Sequence, residues 1–511
     1  MSLPSTFGFR GAFLLDEADR RHYAEASGIL LTVPRAAAIP RDAADLGALV
    51  RWAAATSTPL VPRGAATGMP GGNVGPGVVV DLVTGFRGVE TLDAPRRRIR
   101  AQSGLTLGAL NGSCAPAGLH FPPDPSSFER ATLGGMIANN SAGSHSVRYG
   151  ATRRWVHALD LVLADGSAAR TQRGARPEGA AIGALTDRVD ALLQPRRAEI
   201  LDRWPRVRKN SSGYALREFL ESGDLVDLLV GSEGTLALTV AADLDLAPIP
   251  HARGLALLEF VSLQAVGEAI QAILPLDPAT CEILDRTFLE LVRRAHADSA
   301  YPLRSGLEAI LLVEMEGADE REVIDRLDRV REAVRARAHR IAMALDPEDQ
   351  HRFWAIRHAA SPIIAAQAGM RVSMQFIEDS VVPVDRLPDY IRGLREILDR
   401  HGLPAVIFGH AGDGNLHVNP LVDVHRPRWR DALEVVLAEV AALVAGLGGT
   451  LTGEHGDGRI RAPHLETIWG SDFVDLFRSV KEIFDPQGIL NPGVILPLPG
   501  QRPLDSVRAY A

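Results

Sequence analysis

Cysteine and lysine are both scarce in this chain of 511 residues. The two cysteines, Cys114 and Cys281, exclude a disulfide framework and favour a reducing compartment. No Cys-x-x-Cys series occurs, so the chain cannot carry an iron–sulfur cluster of its own. Lys209 and Lys481 are the only lysines among 55 lysine and arginine residues, which we interpret as a base-composition bias of the genome.

Long apolar runs and basic tracts are missing as well. No apolar run approaches the roughly 18 to 20 residues needed to cross a bilayer. The N-terminus has a short apolar stretch at residues 12–15 followed by charged residues, which is not a secretory signal. A formal charge of −8 argues against nucleic acid as a partner. We therefore predict a cytoplasmic protein without an integral membrane segment, with peripheral membrane contact left open.

The segment "FGHAGDGNLHVN", from Phe408, predicts a β-hairpin with a histidine on each strand. Apolar residues lead into and out of a Gly/Asp/Asn turn. With the turn centred between Asp413 and Gly414, His410 and His417 lie directly opposite each other on one face, with Cβ atoms about 5 Å apart. Two imidazoles at that separation can share a metal ion. The alternative is a hairpin in which both histidines only form hydrogen bonds.

A second segment, "GTLTGEHGDG" from Gly449, supplies two further candidates. Catalytic metal sites usually take three protein ligands and leave one position open, and Glu454 is the candidate third ligand. His455 is the candidate general base, because an imidazole with an unperturbed pKa of about 6.5 is suited to that role. Two histidines and a carboxylate suit zinc, manganese or iron, and we predict zinc.

Three segments of the N-terminal half suit a large, flat ligand. Residues 59–73, "PLVPRGAATGMPGGN", form a strand and a glycine-rich loop whose N–H groups can approach phosphate oxygens. Residues 121–150 are dense in small side chains, and "GSEGTL" places Glu233 and Gly234 in a turn. The glycine spacing does not fit the Rossmann fingerprint. Each segment alone is equally compatible with a plain surface turn.

The order of these segments matches a known flavoprotein family. The sequence resembles the family of vanillyl-alcohol oxidase and p-cresol methylhydroxylase, and within it the FAD-linked D-2-hydroxy-acid dehydrogenases for D-lactate, glycolate or D-2-hydroxyglutarate. The matching segments span residues 34–494 and are "PRGAATGMPGG", "PPDPSS", "TLGGMIANNSAG", "RYG", "GSEGTL", "GHAGDGNLHVN", "GEHGDG" and "FDPQGILNPG". Eight segments in the same order make the resemblance specific.

The resemblance implies that the chain binds FAD. We expect the FAD to be non-covalent, because Ala65, Ala66 and Thr67 fill the loop in which members with covalent flavin often carry a histidine. The implied FAD residues are Arg63, Gly64, Ala65, Ala66, Thr67 and Gly68 at the diphosphate, Pro123, Thr132, Gly134, Gly135, Asn139, Ser141, Gly143 and Tyr149 in the segment along the isoalloxazine and ribityl chain, Glu233 and Gly234 near the adenosine, and Asn491 at the flavin.

The implied fold class is α+β. It comprises a PCMH-type FAD-binding domain of two α+β subdomains, a ferredoxin-like antiparallel cap domain and C-terminal helices. The sequence agrees, since helical and strand-like runs alternate from a helix over 42–56, capped by Asp42, to about residue 247. We predict an N-terminal extension over 1–33, the FAD-binding domain over 34–247, the substrate and cap domain with the metal site over 248–455, and a segment over 456–511 that returns to the flavin.

The implied activity is oxidation of a D-2-hydroxy acid to the 2-oxo acid, with metal assistance and hydride transfer to flavin N5. His410, His417 and Glu454 would bind the metal, His455 would remove the hydroxyl proton, and Asn419 would contact the substrate. Arg357 would bind the substrate carboxylate through two parallel hydrogen bonds, unless it is an arginine on a helix surface.

One segment departs from the family pattern. Many members have a basic residue, an aromatic residue and an aspartate where this chain has Ile377, Glu378 and Asp379. A second basic substrate contact is therefore missing unless Arg371 provides it.

Three other functions stay open at this stage. They are a hydrolase with a metal-activated water, a non-catalytic flavin subunit that carries electrons in a larger complex, and a metal-free alcohol oxidase of the same fold. The sequence does not decide the acid, the metal, the electron acceptor or the oligomeric state, for which a homodimer is one option. Some relatives carry an iron–sulfur cluster or have a partner subunit that does.

Overall fold

The computed structural model describes residues 4–295, 304–359 and 371–510. Its strands are β1 Ala12–Leu14, β2 Ala36–Ile39, β3 Leu60–Arg63, β4 Val78–Asp81, β5 Val89–Asp93, β6 Arg98–Gln102, β7 Leu119–His120, β8 Val156–Val162, β9 Ala168–Gln172, β10 Leu238–Asp245, β11 Ala247–Pro248, β12 Ala252–Phe260, β13 Thr280–Asp285, β14 Ala309–Gly317, β15 Arg340–Ala344, β16 Val372–Ser373, β17 Ala405–His410 and β18 Asn415–Val422.

The α-helices in the same residues are α1 Glu17–His22, α2 Ala43–Thr56, α3 Leu107–Cys114, α4 Leu133–Asn139, α5 Ser146–Tyr149, α6 Ala180–Leu193, α7 Arg197–Arg203, α8 Leu216–Ser222, α9 Leu225–Leu229, α10 Leu263–Ile273, α11 Arg286–Ala295, α12 Glu320–Val334, α13 Pro347–His358, α14 Leu387–Arg400, α15 Trp429–Gly446, α16 Gly458–Arg461, α17 Leu465–Trp469 and α18 Ser471–Phe484. Short 3-10 helices lie at Pro4–Phe7, Ala115–Ala117, Thr152–Trp155, Gln194–Arg196, Leu274–Leu276, Val384–Arg386, Ala411–Asp413 and Ala462–His464.

The N-terminal half is built on two larger sheets, and β7 and β11 form a separate two-stranded antiparallel sheet. The first has the strand order β1-β2-β4-β3, with β2, β4 and β3 parallel and β1 antiparallel at the edge. The second has the order β5-β6-β10-β8-β9 and is antiparallel throughout. The predicted helix over 42–56 is confirmed, because α2 follows Asp42, whose side chain accepts a hydrogen bond from the Asp45 amide.

The C-terminal half is built on a seven-stranded antiparallel sheet with the order β15-β12-β14-β13-β17-β18-β16, which we call the cap sheet. Along β12, Leu258 and Phe260 pack into the core formed with α10, α12, α14 and α15, whereas Leu255 and Leu257 pack on the opposite face with α11 and α13. This alternation is the two-residue period of a strand buried on both faces. The predicted α+β class with an antiparallel cap is confirmed.

The same period places polar side chains on one face of the cap sheet. Glu282 on β13, His410 on β17, and His417 and Asn419 on β18 alternate with apolar residues that enter the α10-side core. The polar residues therefore lie on the α13 side of the sheet, where they meet the N-terminal half. Strand pairing thus brings these four polar side chains together on one face.

The hairpin between β17 and β18 differs from the predicted register. His410 pairs with Asn415 and Phe408 pairs with His417, so the two histidines are diagonal neighbours instead of direct partners. The reason is that the turn over residues 411–414 is centred between Gly412 and Asp413, one residue earlier than predicted, and Gly414 closes it with φ +72°. A residue with a Cβ would be strained there, because the Cβ would lie 2.1 Å from the Val382 carbonyl oxygen. Both histidines still lie on one face.

Both ends of the chain join the N-terminal sheets. β1, from the predicted N-terminal extension, pairs with β2, and Leu490 forms a parallel bridge to Leu60 beside β3. Lys481 on α18 donates hydrogen bonds to the carbonyls of Thr235 and Leu490. The domain boundaries at residues 33, 247 and 455 stay predictions. In the described part of the chain, no helix has both the length and the apolarity that crossing a bilayer requires.

We expect Leu258→Ala to lower the free energy of unfolding by about 2–5 kcal/mol, because it removes a fully buried side chain from the cap core. Val261, which follows the same strand, is 56% exposed. Val261→Ala should therefore change the free energy of unfolding by less than about 0.5 kcal/mol. Denaturant titration of both variants gives the comparison. Equal effects would contradict the assignment of Leu258 to the core.

Candidate active site

A cavity of about 630 Å³ lies between the N-terminal sheets and the cap sheet. This volume is within the range of about 300–1,000 Å³ that is usual for small-molecule and cofactor sites. Its walls come from both halves of the chain, with the glycine loops on one side and the polar face of the cap sheet on the other. The two halves of the chain therefore share one cavity.

Most of the predicted FAD residues line this cavity. They are Arg63, Gly64, Ala65, Ala66, Thr67, Gly68, Thr132, Gly134, Gly135, Asn139, Ser141, Gly143, Glu233 and Gly234. At Gly64, a Cβ would lie 2.3 Å from Thr132 Oγ1, and at Gly143 (φ +157°) it would lie 2.3 Å from the Asp124 carbonyl oxygen. Side chains at these positions would collide with the loops, so the backbone forms the wall. This wall fits a flat cofactor such as FAD.

Arg63 is bonded through its guanidinium to the backbone of the N-terminal segment. Its guanidinium donates hydrogen bonds to the carbonyl oxygens of Tyr23 (3.1 Å) and Glu25 (2.7 Å) and lies over the Tyr23 ring. The charged group therefore holds the loop against the N-terminal segment.

Three predicted FAD residues do not line the cavity. Tyr149 turns away and donates a hydrogen bond to Glu316 Oε2 (2.5 Å) on the cap sheet. Pro123 is buried before the lining segment 125–127. Asn491 lies behind the wall, where its side-chain amide donates to the carbonyls of Gly72 (2.8 Å) and Glu233 (2.9 Å). Asn491 thus supports lining residues instead of reaching the cavity.

Glu233, on the glycine-loop side of the cavity, accepts hydrogen bonds from the loop that contains Glu454. Its carboxylate accepts hydrogen bonds from the backbone amides of Asp457 (2.7 Å) and Gly458 (3.0 Å). Burial and the nearby Asp457 carboxylate raise the pKa of Glu233 to about 8. Glu233 therefore links the two halves of the site through the backbone.

The three predicted metal ligands converge at the other end of the cavity. Glu454 Oε1 lies 3.1 Å from His410 Nε2 and 3.4 Å from His417 Nε2, and the two Nε2 atoms are 3.2 Å apart. Ligand atoms about 2.0–2.1 Å from a tetrahedral zinc ion lie about 3.3 Å from one another. The donor set therefore fits zinc in both chemistry and spacing.

Each imidazole is oriented by a partner on its other nitrogen. His410 Nδ1 lies 2.5 Å from Glu282 Oε1, and His417 Nδ1 donates to the Glu378 carbonyl oxygen (3.0 Å). Because His417 donates through Nδ1, its neutral form presents Nε2 as an acceptor towards Glu454 and His410. Such partners fix the tautomer and ring orientation of metal-binding histidines.

The buried charges shift several pKa values in this cluster. Burial alone would raise the pKa of Glu282, but the charges of His410 and Arg357 outweigh burial and lower it to about 2. Burial would lower the pKa of His410, but Glu282 outweighs it and raises that pKa to about 9. Burial lowers the pKa of His417. Glu282 is thus a carboxylate at every physiological pH.

His455, the predicted base, lines the cavity beside this cluster. Its Nδ1 lies 2.6 Å from Glu378 Oε2, its Nε2 lies 3.7 Å from Glu454 Oε1, and its ring stacks on His417. Burial would lower the pKa of His455, but Glu378 and Asp379 outweigh burial and raise it to about 10. The pKa of His455 is thus above the ordinary value for an imidazole, because two carboxylates face it.

Arg357 and Asn419, the predicted substrate contacts, also line the cavity. The Arg357 side chain is only 14% exposed, so it is not a helix-surface arginine. Its Nε donates to Glu282 Oε2 (3.0 Å), and its guanidinium lies 4.3 Å from the centre of the Phe408 ring. Arg371 is exposed and outside the lining, so it does not replace a missing basic contact.

Sequence reasoning gave no role to four charged residues of the site: Lys209, Glu282, Glu378 and Asp379. Asp379 accepts hydrogen bonds from the backbone amides of Glu454 (3.1 Å) and His455 (2.9 Å) and so fixes their loop. Glu282 was detectable, because it is an acidic residue between the apolar residues Cys281 and Ile283 of strand β13. Lys209 could be singled out only because the chain has two lysines.

Comparison with known proteins identifies the class. Residues 34–172 match the model of the FAD binding domain, and residues 249–495 match that of the C-terminal domain of FAD linked oxidases. The chain belongs to the FAD-linked oxidases.

Named relatives lie within the same class. The chain is 30% identical to D-2-hydroxyglutarate dehydrogenase of Pantoea ananatis over 96% of its own length, but spans only about half (50%) of that relative. It is 29% identical to the glycolate oxidase subunit GlcD of Bacillus subtilis over 90% of this chain and 89% of the relative. The structure of 4-ethylphenol oxidase from Gulosibacter chungangensis shares the fold, with a TM-score of 0.70 at 16% identity over 95% of this chain and 94% of that one.

We expect Gly143→Ala to lower the amount of FAD that co-purifies with the protein. The new methyl group would meet the Asp124 carbonyl in the cavity wall, at a φ that costs alanine more than about 1 kcal/mol. Gly112→Ala, on α3, has no neighbour within 4 Å of the new Cβ and is the matched control. The ratio of flavin absorbance to protein absorbance measures both. Full flavin content in Gly143→Ala would contradict this wall.

Proposed function

We propose that this protein uses non-covalent FAD and a divalent metal ion to oxidise a D-2-hydroxy acid to the 2-oxo acid. One observation carries the proposal: His410, His417 and Glu454 converge in the same cavity that the glycine loops line. A hydrolase would not need the glycine wall, and a subunit that only transfers electrons would not need the ligand cluster. The relatives named as a glycolate oxidase subunit and a D-2-hydroxyglutarate dehydrogenase support the choice of substrate class.

The cofactors supply the chemistry that side chains lack. When bound, FAD supplies a hydride acceptor, and a cation held by His410, His417 and Glu454 supplies positive charge that stabilises an ionised hydroxyl and lowers the pKa of His455. Zinc fits the ligand set best, and manganese and iron are the other candidates.

Arg357 is the proposed carboxylate-binding residue. Glu282 fixes its Nε, and among the described residues its two terminal nitrogens have no hydrogen-bond partner. These nitrogens form the parallel pair that a carboxylate accepts. Asn419, on the same face of the cap sheet, is the proposed contact to a second substrate oxygen. Together they would orient the Cα–H bond of the substrate.

His455 is the proposed acid–base residue. Its Nδ1 contacts Glu378, which leaves Nε2 on the side of Glu454. In its neutral form Nε2 accepts the hydroxyl proton, and Glu378 and Asp379 stabilise the imidazolium that results. The high pKa of His455 makes it a strong base once it has lost its own proton.

Other features of the proposal rest on the sequence. A homodimer and a cytoplasmic location, with or without peripheral membrane contact, stay predictions, and the sequence leaves the exact acid and the electron acceptor open.

A first test is flavin reduction without oxygen. We expect D-lactate, glycolate or D-2-hydroxyglutarate to bleach the flavin absorbance, and we expect a chelator to stop the bleaching until zinc or manganese is restored. Bleaching that survives removal of the metal would favour a metal-free alcohol oxidase. A yellow protein that no 2-hydroxy acid reduces would favour an electron-transferring subunit.

A second test separates the roles of the side chains. His455→Gln should slow flavin reduction by about 10²–10⁴-fold at full flavin content, the usual contribution of a general base. Stopped-flow absorbance measures this rate, and a rate within a few-fold of wild type would exclude His455 as the base.

A third test concerns the substrate carboxylate. Arg357→Met should raise KM for the acid, because the bidentate partner is lost. Arg352→Met, on the same helix α13, is the control, since Arg352 is paired with Glu348 on the surface. Steady-state kinetics of both variants give the comparison. Equal KM values would remove Arg357 from the substrate site.

A further inference from the structure

Lys209 lies behind the ligand cluster and contacts one of its members. The side chain is 4% exposed, and its Nζ donates a hydrogen bond to Glu454 Oε2 (2.9 Å). The other oxygen of the same carboxylate, Oε1, faces His410 and His417. The two oxygens of Glu454 therefore have different partners: Lys209 holds one, and the histidines face the other.

The surroundings of Lys209 suit an ammonium group. Besides Glu454, its Nζ lies 3.4 Å from Ser146 Oγ and 4.0 Å from Asp413 Oδ2, and Ser146 Oγ itself donates to Asp413. These contacts join the hairpin turn, helix α5 and the Glu454 loop at one buried charge. A lysine ammonium is compact, whereas a guanidinium is a planar fork that needs more room.

Composition gives an independent reason to single out this residue. Only two of 55 basic side chains are lysine, so arginine is the usual basic residue of this chain. Both lysines are largely buried and bonded to carboxylates. Lysine at position 209 is thus an exception in the composition of this chain, and it lies buried beside Glu454.

We propose that Lys209 is a positioning residue for the metal centre, which holds the Glu454 carboxylate so that one oxygen is directed at the metal. This inference rests on the proposed function. Without the Lys209 contact, both oxygens of Glu454 would be free to rotate towards His410, His417 and His455. The buried carboxylate would also lack its nearest positive charge, which is costly in the protein interior. Residues that orient metal ligands typically change metal affinity by 10- to 100-fold.

Lys481 provides a matched control within the same chain. It is also largely buried and donates hydrogen bonds to Asp485 (2.6 Å) and to the carbonyls of Thr235 (2.6 Å) and Leu490 (2.7 Å). None of these partners belongs to the ligand cluster. Replacing Lys481 therefore removes a buried lysine charge without touching Glu454.

The experiment compares metal affinity in FAD-loaded wild-type protein, Lys209→Met and Lys481→Met. Zinc is titrated against a competing chelator, and flavin content and thermal unfolding are measured on the same samples. We expect Lys209→Met to bind zinc about 10- to 100-fold more weakly while it retains FAD. We expect Lys481→Met to unfold at a lower temperature but to bind zinc with wild-type affinity.

A further variant covers the case in which Lys209→Met does not fold. Lys209→Arg keeps the charge but changes its shape, and we expect its zinc affinity to be below that of wild type. If Lys209→Met folds, wild-type zinc affinity in that variant would overturn the inference. If it does not fold, wild-type zinc affinity in Lys209→Arg would overturn it. Equal losses in the Lys209 and Lys481 variants would overturn it too, because they would indicate a general effect of instability.

The result also distinguishes this inference from the proposed function. If the wild type binds zinc and a D-2-hydroxy acid reduces its flavin, but Lys209→Met binds zinc equally well, only the role of Lys209 fails. If the wild-type protein binds no divalent metal, the metal part of the proposed function fails, and the role of Lys209 fails with it.

Discussion

The bridge formed by Glu282 is the interaction on which the rest of the site depends. This fully buried carboxylate contacts His410 through one oxygen and Arg357 through the other. A buried carboxylate requires partners of this kind, because an unpaired charge in the interior is strongly destabilising. One side chain thus fixes both the orientation of a candidate metal ligand and that of the candidate carboxylate-binding arginine. The distance between the two functions is set by a single strand residue.

The sequence was most informative where the chemistry is local. The glycine loops, the two histidines and Glu454 were predictable, because each depends on a short segment whose residue types are unusual. The α+β class was implied by the family resemblance and agrees with the alternation of helical and strand-like runs. The hairpin register differs from the prediction, and the turn that Gly414 closes forms a backbone hydrogen bond with Val382 of a distant segment, which no local pattern shows.

The features that the sequence did not reveal arise from long-range contacts. Nothing local to His455 reveals that Glu378 and Asp379 face it and raise its pKa. Likewise, the Tyr149 side chain turns away from the cavity because its hydroxyl group donates a hydrogen bond to Glu316 on β14. In both cases the decisive partner lies far away in the chain, where no local pattern points to it.

The contacts of Glu233 and Asn491 have a consequence for biosynthesis. The cofactor wall at Glu233 is held by backbone amides at Asp457 and Gly458 and by the Asn491 side chain, all within the last fifth of the chain. The chain is synthesised from its N-terminus, so the glycine loops leave the ribosome long before the groups that form hydrogen bonds with them. Stable capture of flavin must therefore wait until translation is nearly complete, and a chain that ends before Asp457 would emerge without a finished pocket.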